Sequence, residues 1–144
     1  MKMHSNPYYI RVFNHKFSVH TNTGYACKNI MQYLFTAEDL SVNEKLYFDF
    51  LRTKVSNKVD NEDFINGVFM LARSDFNILV QKFEALNEDT GDFEPVMPDA
   101  VISMLSSSSY FNPLNGRKLT EDEAAVQIRT FFSPSKAFIN SLAN

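Results

Sequence analysis

Apolar residues recur at helical spacing along most of this 144-residue chain. About six runs place them at i, i+3, i+4 and i+7, the spacing that forms one face of an amphipathic helix. Two of the clearest runs have these apolar residues: Cys27, Ile30, Met31 and Leu34 in the first, and Phe76, Leu79, Val80, Phe83 and Leu86 in the fourth. The spacing therefore predicts an α+β, mainly α fold with about six helices.

Capping residues indicate where these helices begin. Two pairs have the spacing of a capping box, in which each side chain accepts a hydrogen bond from the other residue's backbone N–H: Ser41 with Glu44, and Thr120 with Glu123. Pro98 is favourable in the first turn of a helix. We expect the remaining helices to begin at Asp60, Ser74 and Ser133. The residues expected to face inward include Val101, Ile102 and Leu105 after Pro98, and Ala125, Ile128 and Phe132 after Thr120.

The beginning of the chain has the two-residue period of β-strands. Aromatic and β-branched residues alternate with polar ones over residues 8–21, and Asn14 with His15 is suited to a tight turn. We expect an N-terminal β-hairpin whose first strand has Tyr9, Arg11 and Phe13 on one face. Because a two-stranded hairpin is not stable alone, we expect it to pack on the bundle of helices.

One domain, residues 1–144, is the expected organisation. The length is close to the commonest domain size, and 14 Phe and 6 Tyr supply enough apolar area for a core. Residues 88–97 contain a glycine, a proline and four acids, so an acidic linker between sub-clusters 1–87 and 98–144 is the alternative. A single domain is favoured because the C-terminal part alone would bury too little surface.

The sequence lacks the common catalytic and cofactor motifs. The four glycines are scattered, whereas dinucleotide-binding and phosphate-binding loops need clustered glycines. No serine stands in a nucleophile elbow, and all three histidines lie in the first 20 residues. The acids at 121–123 fall in a predicted first helical turn, where they complement the helix dipole. We therefore expect no cofactor and no enzyme activity, with an enzyme of unidentified class as a remaining alternative.

Metal sites are not predicted either. His15, His20 and Cys27 lack the paired spacing of zinc ligands, so a buried structural cysteine and exposed histidines are expected. If Gly91 is set at the sixth position of a calcium loop, the first position is Leu86, which cannot coordinate calcium. A weak, irregular cation site in the acidic segment is the alternative to a simple exposed turn.

The compartment is predicted from what the chain lacks. Cys27 is the single cysteine, so no internal disulfide can form, which fits a reducing compartment. No apolar run has the length of a signal-peptide core or of a membrane span. We expect a cytoplasmic protein without a membrane partner.

The net charge of -3 results from two regions of opposite sign. Residues 1–37 contain four bases and no acid, whereas residues 83–116 contain six acids and no base. Such bias often marks nothing more than a solvated face. The alternatives are that each region meets a partner of opposite charge, or that the two regions attract each other within one chain or between copies of a homo-oligomer.

A non-catalytic protein that docks on another macromolecule is the function favoured by these observations. A protein partner is expected, and the candidate partner surface consists of four acids: Glu88, Asp89, Asp92 and Glu94. The abundance of Asn, Ser, Phe and Lys in a small chain without catalytic motifs is typical of accessory proteins of phages and other mobile elements. No motif supports that compositional impression, and nothing further is inferred from it.

Nucleic-acid binding is the second hypothesis. Aromatic and basic residues that could stack on bases and contact phosphates are interleaved near the N-terminus: Tyr8, Tyr9, Arg11, His15, Lys16 and Lys28. A hairpin must bury one face, so about half of its aromatic residues would belong to the core. The sequence pI of about 5.6 is also far from the strongly basic surface typical of such proteins.

The strength of nucleic-acid binding can be predicted from this small basic set. Neutralising three phosphates of a single strand gives a slope of only about -2 in a plot of log affinity against log salt. We therefore expect at most micromolar binding to single strands and no tight binding to duplex DNA at physiological salt. Fluorescence anisotropy with a labelled oligonucleotide measures this. Nanomolar affinity that is lost in the Arg11→Ala, Lys16→Ala double variant would contradict the prediction.

Overall fold

The computed structural model describes residues 21–142. The predicted N-terminal hairpin lies outside these residues. Within them the fold is α+β, with six helices and three strands. In chain order these are α1 (Asn22–Thr36), α2 (Phe48–Arg52), α3 (Asn61–Leu71), β1 (Leu79–Leu86), β2 (Phe93–Val96), α4 (Pro98–Ser107), α5 (Glu121–Gln127), β3 (Ile128–Pro134) and α6 (Lys136–Leu142).

The predicted architecture, an N-terminal hairpin on a bundle of helices, is wrong. The sheet of the described chain comes after the first three helices and is a three-stranded antiparallel sheet with the order β2-β1-β3. Its central strand, β1, occupies the segment in which Ser74 was expected to begin a helix. Asn77, which has a φ of 52°, interrupts the chain just before that strand. Pairing on both sides then outweighs the helical spacing of its apolar residues.

Several predicted helices are confirmed. Asp60 caps α3 by accepting a hydrogen bond from the Asp63 backbone N–H, 2.8 Å away, and α4 begins at Pro98. Thr120 and Glu123 form the predicted capping box of α5. That helix ends earlier than expected, however, because the chain becomes extended at Ile128 and continues as β3.

The second predicted capping box is wrong. Ser41 and Glu44 lie in a turn, in which the Ser41 hydroxyl accepts a hydrogen bond from the Asn43 backbone N–H. The helix that follows, α2, begins only at Phe48 and has five residues. Its Leu51 is buried in the core, so the apolar pattern after Ser41 indicated burial correctly and the helix start incorrectly.

The described chain divides into two compact units. The first contains the described residues up to Val80 and from Phe132 onward, and the second is Gln81–Phe131. The first unit contains the large hydrophobic core, to which α1, α3 and α6 contribute. Its buried aromatic side chains pack edge to face or tilted, as Phe48 does on Phe132 with ring centroids 5.3 Å apart.

Helices α1 and α3 of the first unit are in close contact. The Cys27 thiol donates a hydrogen bond to the Gly67 carbonyl at 3.4 Å. The Thr23 hydroxyl donates to the Asp63 carboxylate at 2.9 Å. A Cβ atom at Gly67 would lie 3.0 Å from the Cβ of Ala26 and 3.3 Å from the backbone oxygen of Thr23. The two helix backbones can approach this closely because α3 has glycine at that position.

The second unit is built on the β1–β2 hairpin and the helices α4 and α5. Phe83 pairs with Val96 and Leu86 with Phe93 in the antiparallel register. Asn112 is fully buried, and its side-chain amide donates to the Leu86 carbonyl and to the Gln127 side chain, both at 2.9 Å. One buried amide thus links the end of β1 to the end of α5.

Gly67→Ala is expected to destabilise the protein, although alanine favours a helix over glycine by about 1 kcal/mol. The added methyl group would meet Ala26 at 3.0 Å, and overpacking of this kind costs about 1–3 kcal/mol. We expect a net loss of about 1 kcal/mol, and at most about 2 kcal/mol, in the free energy of unfolding, measured by urea denaturation.

Asn66→Ala is the matched control for this substitution. Asn66 is the exposed neighbour of Gly67 in α3, so alanine there gains helix propensity without a new contact and should stabilise slightly. A Gly67→Ala variant that is also more stable than the wild type would show that the α1–α3 contact is not tight.

Candidate interaction surface

The acidic segment forms a hydrogen-bonded loop between β1 and β2. The Asn87 backbone N–H donates to the Asp92 carbonyl at 2.7 Å, and the Gly91 N–H donates to the Asn87 carbonyl at 2.8 Å. Gly91 has a φ of +80°, which favours glycine. The Asn87 side-chain oxygen also accepts from the backbone N–H of Asp89. The segment that the alternative organisation treated as an acidic linker is a hydrogen-bonded hairpin loop followed by a strand.

Two of the four acids of the candidate partner surface are used within the unit. The Glu88 carboxylate pairs with the Arg117 guanidinium, the closest atoms lying 2.6 Å apart, and accepts a further bond from the Asn115 amide. The Glu94 carboxylate accepts a hydrogen bond from the Asn87 amide. Both interactions hold the hairpin loop in place.

The other two acids, Asp89 and Asp92, are exposed. Within residues 21–142, neither carboxylate has a hydrogen-bond or ion-pair partner, because the hydrogen bonds at these two residues are made by their backbone groups. Backbone hydrogen bonds hold the chain at both positions, and no described side chain contacts either carboxylate. Their charges are therefore available to a partner molecule.

Arg117 connects the hairpin loop to the first turn of α5. Besides Glu88 it contacts Glu123, whose carboxylate lies 3.4 Å from the guanidinium. Hydrogen bonding to Arg117 lowers the pKa of Glu88 below its usual value. The pKa of Glu123 is also lowered, first by the Thr120 backbone N–H and then by Arg117. This network places the exposed acids of the loop and those of the α5 first turn at the same end of the unit.

Of the six residues proposed to contact nucleic acid, the structure describes only Lys28. It is exposed on α1, with its ammonium nitrogen 6.0 Å from the centroid of the Tyr25 ring. The other five, Tyr8, Tyr9, Arg11, His15 and Lys16, lie outside the described residues. A second lysine–aromatic cluster that the sequence analysis missed lies in the same unit, where Lys54 is about 5 Å from the rings of Tyr33 and Phe50.

An apolar groove lies between α4 and α5 over the sheet of the second unit; we call it the α4–α5 groove. It has a volume of about 320 Å³. Its apolar lining comes from both helices and the two longer strands, and includes Phe83, Val101, Met104, Leu105, Ala125 and Ile128. Tyr110, Glu121, Arg129 and Thr130 add polar atoms to the lining. The sequence analysis did not identify this groove.

The margin of the α4–α5 groove exposes large apolar side chains. On α4, Ile102 is 54% exposed and Leu105 is 61% exposed, although both were expected to face inward. The helix buries Val101, as expected, and Met104. Ile102 precedes the groove-lining Leu105 by three positions, the spacing of neighbours on a helix surface. The expectation failed because a four-residue apolar pattern on a short helix does not indicate which side meets the sheet.

The second unit is acidic. Residues 81–131 contain nine acids and four bases, a net charge of -5. Two of the bases, Arg117 and Arg129, are ion-paired with acids of the same unit. Glu121 lines the α4–α5 groove, and its neighbour Asp122 and Asp99 of α4 are exposed. The apolar groove therefore lies on a negatively charged unit.

The single cysteine of the sequence, Cys27, is buried. Burial raises the pKa of the Cys27 thiol to about 12, so the thiolate is scarcely formed at neutral pH. Between residues 21 and 142, no three His, Cys, Asp or Glu side chains are grouped as metal ligands. None of the helices in this range is both long and apolar enough to cross a membrane.

Comparisons with known proteins add no assignment. No protein-family model, curated protein or solved structure matches this chain.

Arg117→Gln is expected to raise the pKa of Glu88 toward its ordinary value of 4.5, because hydrogen bonding to Arg117 is the largest cause of the lowering. The pKa of Glu123 should rise less, because the hydrogen bond from the Thr120 backbone N–H contributes most to lowering it and remains in the variant. Carboxyl chemical shifts followed by NMR through an acid titration measure both. In the wild type, the stability supplied by these lowered pKa values is complete above 4.5 and is lost as the pH falls through them.

Lys118→Gln, which removes the neighbouring positive charge, is the control and should leave both pKa values nearly unchanged. Equal shifts in the two variants would show that general charge, and not the Arg117 contacts, lowers the pKa of Glu88.

Proposed function

We propose that this protein is a non-catalytic interaction protein whose acidic second unit docks on a basic protein partner. The observation that carries the proposal is the hairpin loop, which presents Asp89 and Asp92 to solvent on a hydrogen-bonded backbone. Unpaired exposed acids on a hydrogen-bonded loop attract a basic surface without first losing an internal partner. The net charge of -5 on residues 81–131 extends this attraction beyond direct contact.

The internal ion pairs support the same proposal. Arg117 and Arg129 neutralise acids that position the loop and the strands, and the exposed carboxylates of Asp89, Asp92, Glu121 and Asp122 lack described partners. The negative charge that remains on the surface therefore belongs to carboxylates that take no part in holding the fold together. A basic partner is the class of molecule that this distribution favours.

The test begins with affinity purification from the native host, with and without nuclease. The affinity of this protein for the protein partner identified in that way is then measured by titration. The Asp89→Lys, Asp92→Lys variant should bind it at least about tenfold more weakly, chiefly through a slower association rate. The loop should keep its fold, because these residues are hydrogen-bonded through their backbone groups and not through their carboxylates. Stopped-flow or surface-based kinetics at several salt concentrations measures the rates.

The matched control reverses two exposed acids of the first unit, in the Glu38→Lys, Glu62→Lys variant. Both residues are exposed, and neither carboxylate has a partner within residues 21–142. The control carries the same net charge as the loop variant and should bind within about twofold of the wild type if the position of the charge matters. Equal weakening of both variants, or of neither, would contradict the proposed surface.

Single-strand nucleic-acid binding is the second candidate function. It is favoured by the exposed Lys28 beside Tyr25 on α1, and by Lys54 beside Tyr33 and Phe50. These rings and charges provide stacking and phosphate contacts in one unit. A native partner that is released by nuclease, together with weaker oligonucleotide binding by Lys28→Ala and Lys54→Ala, would place this function first.

A further inference from the structure

We propose that the α4–α5 groove is a docking site for an amphipathic helix of the partner, with leucine-like residues on one face and Lys or Arg beside them. The inference rests on the proposed function, since it takes the partner to be basic. It adds the part of the partner that is recognised and the residues that recognise it.

The shape of the groove favours a segment of protein over a small enclosed ligand. A ligand that filled the 320 Å³ of the groove would leave Ile102 and much of the exposed Leu105 side chain in water. A helix that lies along α4 covers both the groove and its margin. The ten residues of α4 span about 15 Å, which matches the apolar face of a helix of about three turns.

A helix fits this site better than an added strand does. The outer strand of the hairpin, β2, has only four residues and contains Pro95, which cannot donate a hydrogen bond to a neighbouring strand. Phe93 of the same strand is covered by the Arg129 guanidinium, 3.5 Å from its ring centroid. The apolar surface lies between two helices instead, where an anchoring helix can insert side chains spaced three or four residues apart.

Charge complementarity identifies the other face of the occupant. Glu121 lines the groove, and Asp122 follows it in the first turn of α5. Neither carboxylate has a hydrogen-bond or ion-pair partner in the described part of the chain. Lys or Arg beside the apolar face of the partner helix would reach them, whereas an acidic amphipathic helix would be repelled.

The test uses three synthetic peptides of fourteen residues with the same helical pattern. One has Leu and Lys, the second Leu and Glu, and the third Ser and Lys. The Leu–Lys peptide should bind, with NMR shift changes confined to α4, α5 and the strands below them. The Leu–Glu and Ser–Lys peptides should bind at least about tenfold more weakly, because each lacks one of the two recognised features.

Matched variants locate the site. Ile102→Ser should weaken Leu–Lys binding at least about fivefold, and Ile65→Ser, at an exposed isoleucine of α3, should not. Glu121→Lys should weaken it as well, and Glu62→Lys, in the first turn of α3, should not. Ala125→Trp fills the groove from an exposed position and should abolish binding. Each variant is first checked by its NMR spectrum to be folded.

The results that overturn the proposal differ from those that overturn the proposed function. Equal binding of the Leu–Lys and Ser–Lys peptides, or Leu–Lys binding unchanged in Ile102→Ser and Ala125→Trp, overturns the groove as the site. Self-association of the chain that Ala125→Trp abolishes assigns the groove to a second copy and also overturns it. If binding of the native partner is lost in Asp89→Lys, Asp92→Lys and retained in Ala125→Trp, the proposed function stands and the groove is excluded as the docking site. If binding of the native partner is lost in Ala125→Trp and retained in Asp89→Lys, Asp92→Lys, the groove remains the docking site and the acidic loop is excluded.

Discussion

One guanidinium group connects all three strands of the sheet. Glu84 lies on the central strand and is fully buried, and the Arg129 Nε of β3 lies 2.7 Å from its carboxylate. The same guanidinium lies on the Phe93 ring of β2. A buried carboxylate without a partner is strongly unfavourable, so any register that separated these residues would be penalised. The arrangement fixes β3 against β1 and therefore fixes the floor of the α4–α5 groove, which Phe83 and Ile128 provide.

The acidic unit uses its charges in two ways. Glu84, Glu88 and Glu123 are paired with arginines and hold strands, loop and helix together. Asp89 and Asp92 are held only through their backbones and keep their carboxylates in solvent. A loop whose conformation does not depend on its exposed acids can present them in one arrangement. That separation between positioning charges and presented charges is the physical basis for treating the loop as a docking surface.

The sequence predicted well where a single local signal decides the structure. The apolar spacing from Cys27 to Leu34 predicted α1, and all four of these residues are buried. The capping pair Thr120 and Glu123 predicted the start of α5. Local signals could not identify β1, because its residues also fit helical spacing and its strand form depends on pairing with distant segments.

The candidate site was predicted only in part, for a related reason. The acids of the loop are contiguous in sequence, so Asp89 and Asp92 were identified, and the structure adds that Glu88 and Glu94 have internal partners. The groove is assembled from β1, α4, α5 and β3. Leu105 and Ile128 lie 23 positions apart, and no periodicity in either segment indicates that they line one surface. The sequence pattern marked both as apolar, and only the tertiary structure separates a margin residue from a core residue.

Charge and apolar surface would act at different stages of docking. The field of exposed acids extends about 10 Å at 0.1 M ionic strength, so it acts before contact and affects chiefly the association rate. Apolar side chains such as Ile102 and Leu105 contribute only once water has been excluded, so they affect chiefly the dissociation rate. Added salt would then slow association and change the lifetime of the complex much less. In a complex held by charge alone, added salt would also shorten the lifetime. Unpaired acids and an open apolar groove occur together in residues 81–131, and together they support a docking function more strongly than either feature does alone.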